Sequence, residues 1–72
     1  MDYFDYRTAA RAAGISDELL ASWRHGFECE YGDDSTMVEL RLLRACNAVL
    51  MDGQDIEHVT EALAEEFGHV NA

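Results

Sequence analysis

A chain of 72 residues with 15 Asp and Glu against five Arg, no Lys and a formal net charge of -10 has room for one small core of three or four helices. Apolar residues at 49% and charged residues at 28% exclude a disordered chain. The sign of the charge weighs against nucleic acid and anionic membranes as partners and favours a basic protein surface, whose approach it speeds.

Neither half hides a basic face: residues 1–36 hold eight acids and three Arg, and residues 37–72 hold seven acids and two Arg. No apolar run approaches a membrane span, and residues 1–20 lack the basic-then-apolar order of a signal peptide, so a cytoplasmic location is expected. In that compartment Cys29 and Cys46 are expected as free thiols.

Residues 1–5, with Tyr3 and Phe4 between Asp2 and Asp5, suggest a short extended entry. The alanine-rich run YRTAARAA predicts a helix over Tyr6 to Ala13 stopped by Gly14. Ser16 then caps a second helix whose first turn carries Asp17 and Glu18 at the positive end of the dipole. Leu19, Leu20 and Trp23 are spaced as its buried face, Trp23 being most simply core with part-exposure at the helix-turn-helix edge as the alternative, and Gly26 is expected to close it beside His25. Helix, glycine turn, helix is a helix-turn-helix pattern.

From Phe27 to Ser35 the sequence FECEYGDDS alternates apolar and acidic residues up to Tyr31 and then turns, which predicts a small hairpin or wing. Thr36 and Glu39 are spaced as a capping box for a helix running to Met51 and ended by Gly53, with Leu40, Leu43, Val49 and Leu50 as its apolar stripe. Asp55 caps a last helix with Ile56, Val59, Leu63 and Phe67 on one face, stopped by Gly68 before a frayed tail. No repeat, low-complexity stretch or linker divides the chain, so residues 1–72 are expected to be one domain, mostly α, with about four short helices and a short hairpin wing.

The run YRTAARAAGISDELLASWRHGFE resembles the winged helix-turn-helix of MerR-type regulators: an alanine-containing first helix, a Gly-hydrophobic-Ser turn, a Leu-and-aromatic second helix and a Gly-hydrophobic exit. The following GDDSTMVELRLLRACNAVLMDGQDIEHVTEAL resembles that family's next helix pair. The resemblance implies a winged-helix fold and, in the family's usual role, DNA binding. Three departures oppose that role. Where the family places an Arg after the second helix's Leu, Ala21 follows Leu20; the wing carries Glu28, Glu30, Asp33 and Asp34 in place of basic residues; and the family's long dimerising helix has no counterpart after Phe67.

Two sets of site residues follow. Glu28, Glu30, Tyr31, Asp33 and Asp34 either form an acidic wing that inserts into a basic groove as a surrogate for nucleic acid, or form a solvated loop. Glu57, Glu61 and Glu65, four residues apart, make a like-charged stripe that weakens a helix by about 0.2–0.5 kcal/mol per pair and suits a basic partner. The favoured function is a small acidic, non-enzymatic modulator or inhibitor that docks on a basic, even nucleic-acid-binding, surface of a partner protein. In this it is similar to acidic chaperone modulators with a MerR-like front and to virus-encoded nucleic-acid mimics. The alternative is a DNA-binding regulator or excisionase-like factor using Arg7, Arg11, Ser22, Arg24 and His25, although pairing of these Arg with neighbouring acids is the simpler expectation. A high-salt cytoplasm would favour that alternative, since molar salt shortens the Debye length to about 3 Å. No serine or phosphate-loop motif suggests catalysis. No cofactor is expected, and no metal: His25 and Cys29 are four apart, but no Cys-x-x-Cys or paired His spacing joins them to Cys46, His58 and His69, and helix ends separate these candidates.

Overall fold

The first helix is set by its own ends. In the computed structural model, which describes residues 4–70, α1 spans Tyr6–Ala13. Asp5 caps it by accepting the Thr8 backbone N–H at 3.2 Å. Hydrogen bonding from Thr8, through its side chain and then its backbone, holds the Asp5 carboxyl below its ordinary value. Gly14 ends the helix at φ 77°, a left-handed conformation that costs a residue with a Cβ about 1–2 kcal/mol. The extended entry expected over residues 1–5 lies mostly outside the described residues.

α2 spans Asp17–Tyr31. Ser16 caps it as the spacing predicts, its Oγ accepting the Leu19 N–H at 3.2 Å. The expected stop at Gly26 does not occur, because that glycine serves packing: a Cβ there would lie 2.2 Å from the Phe67 ring. The helix runs on through Phe27–Tyr31, so the hairpin wing expected there is replaced by helix, and no strand occurs among the described residues. The alternation of FECEY is compatible with both periods, since Phe27 and Tyr31 lie four apart and share a helical face. The tertiary contact of Phe27 with Phe67, edge to face at a centroid distance of 4.9 Å, favours the helical one.

α3 spans Ser35–Leu50, capped not by Thr36 but by Asp34, which accepts the Met37 N–H at 3.2 Å. Its buried face is Val38, Leu42, Ala45 and Cys46. The expected stripe is displaced: Leu40, Leu43 and Val49 are half-buried and Leu50 is exposed. Both sets have helical spacing, and α3 is the central helix, in contact with α1, α2 and α4, so a single-stripe reading misassigns its deepest side. Glu39, expected at the helix entrance, is buried instead.

α4 spans Ile56–Val70. Asp55 accepts the Glu57 N–H at its start, and the expected face is the observed one, with Val59 and Leu63 buried and Ile56 and Phe67 packed against the core. Gly68 lies within the helix and does not stop it. α4 follows α2 in the same direction: Leu19 shares a recess with Ile56 and Thr60, while Gly26 meets Phe67. Trp23, Tyr6, Phe27, Leu42 and Cys46 form the centre. Trp23 is a core residue, as its place on the apolar face of α2 predicts, with no exposed edge.

Candidate protein-docking surface

Three of the five arginines lie against the chain's own aromatic rings. Arg24 donates to the buried Tyr6 hydroxyl and lies 3.9 Å from Glu28. Arg7 sits over the Tyr6 ring at 5.0 Å. Arg41 donates to the Tyr31 hydroxyl at 2.5 Å and to Glu66 at 2.6 Å, and its guanidinium lies 5.1 Å from the Phe27 ring centroid. These cation–π and charge-assisted contacts hold three of the five arginines to the chain's own surface. Of the residues in the alternative DNA-binding set, Arg7, Arg11, Ser22 and His25 are exposed, Arg7 while lying over the Tyr6 ring, and Arg24 is half exposed. Ala21, at the position where the resemblance expects an Arg, is exposed.

Among the described residues most of the acids face outward, Glu39, Glu30 and Glu66 excepted. Glu28, Asp33, Asp34, Glu57, Glu61 and Glu65 are all exposed. Asp33 and Asp34 lie in the turn between α2 and α3, where Asp34 is also the α3 cap. Glu28 and Glu30 occupy the last turn of α2, which carries no basic residue; negative charge at that end opposes the helix dipole by about 0.3–1 kcal/mol per group. Tyr31 is not the free docking side chain the sequence suggests, because its ring stacks on Phe27 and its hydroxyl is taken by Arg41.

Glu30 reaches across to Glu66, which unites the end of α2 with the end of α4. The Oε2 atom of each is buried without a hydrogen-bond partner, and a hydrogen bond between the two carboxyls needs a proton on one of them. Hydrogen bonding to Glu66, aided by burial and by the charge of Glu66, raises the Glu30 carboxyl above its ordinary value. Burial pushes Glu66 up, but hydrogen bonds to Glu30 and Arg41 outweigh it and hold Glu66 low. Neither Arg41 nor Glu66 was singled out by the sequence, for they lie 25 positions apart and no local pattern joins them.

Two depressions complete the surface. Between the first turns of α2 and α4, a recess of about 360 Å³ has Leu19 and Ile56 for its apolar lining and Glu57, Thr60 and Glu61 along it. The Thr60 hydroxyl is spent on the Ile56 carbonyl, which leaves the two carboxylates as the recess's charged groups. Between α3 and α4 a groove of about 390 Å³ over Phe27 has the opposite character, with Arg41 and Arg44 among its lining and no carboxylate.

No group of three or more metal-ligating side chains occurs among the described residues, and no helix among them is long and apolar enough to cross a membrane. No family model matches this chain, and no curated protein or solved structure matches it.

Proposed function

We propose that this chain is a small non-enzymatic modulator or inhibitor that docks on a basic surface of a partner protein, built on a MerR-like helix-turn-helix scaffold whose charge has been turned away from DNA. The observation that carries the reading is the separation of charge: arginines committed to Tyr6, Tyr31 and Glu66, and exposed carboxylates along α4 and in the α2–α3 turn. The docking residues are Glu57 and Glu61 at the recess, with Glu65, Glu28, Glu30, Asp33 and Asp34 extending the negative field that steers the encounter. A nucleic-acid-binding groove is the kind of basic surface such a field suits.

The test is capture from source-cell lysate with the full chain as bait, comparing wild type with Glu57→Lys/Glu61→Lys and with Asp33→Lys/Asp34→Asn. Asparagine at position 34 keeps a cap on α3 while removing the charge. A stoichiometric basic protein, released by salt and lost in the charge-reversed recess variant, is the expected result. Capture unchanged by either variant would remove these carboxylates from the interface.

A further inference from the structure

Because α2 continues through Gly26, His25 and Cys29 stand one turn apart on a single exposed helical face, with Cys29 Sγ 3.8 Å from His25 Nε2. A tetrahedral zinc ion with Zn–S near 2.3 Å and Zn–N near 2.0–2.1 Å sets its sulfur and nitrogen ligands about 3.6 Å apart. The pair already stands within a few tenths of an ångström of that edge, and both side chains are reachable from solvent.

We infer that His25 and Cys29 form half of a zinc site, completed by the same two residues of a second copy of this chain. The pair cannot close a structural site alone, since no third His, Cys, Asp or Glu joins it among the described residues. Four ligands of the kind zinc holds tightly, two thiolates and two imidazoles, arise when two α2 helices pack about a two-fold axis. Ala21 and Ser22, small and exposed one turn before His25, permit the close approach such a crossing needs. The second cysteine takes no part, as Cys46 is buried in the core and burial pushes its thiol up to about 11.

Each cysteine binds as the thiolate and gives up its proton, so that two thiolates and two neutral imidazoles leave the zinc centre without net charge. Each chain carries a formal charge of -10, so the two copies repel in the absence of metal. The dimer is therefore metal-dependent, a property independent of the docking function proposed above.

The full chain, kept reduced with a phosphine, is titrated with zinc while its mass is followed by sedimentation, and with cobalt(II) while its spectrum is recorded. Conversion of monomer to dimer, complete at one zinc per two chains and reversed by a chelator, is expected, together with a thiolate-to-cobalt charge-transfer band. Cys29→Ser and His25→Ala should each lose both signals while keeping the wild-type far-ultraviolet dichroism, both positions being exposed. A chain that stays monomeric at saturating zinc, or a dimer that survives Cys29→Ser, overturns the inference; a cobalt band on a monomer overturns the second copy as the source of the remaining ligands.

Discussion

Two Arg–Tyr contacts hold this molecule together, and they do different things. At the front, Arg24 of α2 meets Tyr6 of α1, a fully buried phenol, with the Glu28 carboxylate 3.9 Å from the guanidinium. At the rear, Arg41 of α3 meets the half-buried Tyr31 and the Glu30–Glu66 pair, so one cation serves a phenol and two acids from α2 and α4. The front contact fastens a helix pair and uses up a positive charge there. The rear contact does that too, and it also lets a strongly acidic chain bring two carboxylates together.

The comparison can be broken at several points. The largest effect is expected from Gly26→Val, since the added side chain overlaps the Phe67 ring that covers the rear cluster; overpacking of this kind costs about 1–3 kcal/mol, measured by urea unfolding. Next, Arg41→Met should destabilise by about 1–2 kcal/mol, because it orphans a phenol and leaves two carboxylates unscreened. Arg24→Met, which strands the Tyr6 hydroxyl and otherwise removes only a solvent-screened pair with Glu28, should cost less. Equal losses in the two variants would erase the distinction between front and rear.

The smallest effect is the pH response of the rear pair. A raised folded-state value for Glu30 means that its contribution is complete below the unfolded value and is lost as pH rises through the folded one. Glu66, held low, behaves in reverse: its contribution is present above the unfolded value and is lost as pH falls through the folded one. Stability from the pair should therefore peak between the two and decline towards neutral pH, by a few tenths of a kcal/mol given its solvent exposure. Glu30→Gln, which keeps a hydrogen-bond donor without the titration, should flatten the decline on the alkaline side of that peak. A variant with the same slope as wild type would place the proton elsewhere.

What the sequence made legible was what neighbouring residues decide between themselves. Gly14 and Ser16 announce the break between α1 and α2 through turn and cap chemistry, and Asp55 with Ile56, Val59, Leu63 and Phe67 announces α4. Gly26 and Gly68 carry the same letter as Gly14 and mean something else, because a glycine stops a helix only where the chain turns left-handed, and Gly26 is required by a ring on α4. The extension of α2 that replaces the hairpin wing, and the depth of Val38 and Leu42 relative to Leu40 and Leu43 in α3, likewise depend on partners remote in the chain. Of the candidate docking residues, the exposed acids were readable from composition and spacing, whereas the burial of Tyr31, the Glu30–Glu66 contact and the apolar lining contributed by Leu19 were not.

In the proposed function, exposed carboxylates and the engagement of Arg7, Arg24 and Arg41 by the chain's own rings turn this scaffold from DNA towards a basic protein. The most direct test of that claim is the anisotropy of a short labelled DNA duplex titrated with the full chain at low salt and again at rising salt. No binding at any salt concentration is predicted; saturable binding that weakens with salt, the mark of phosphate contacts, would contradict the claim.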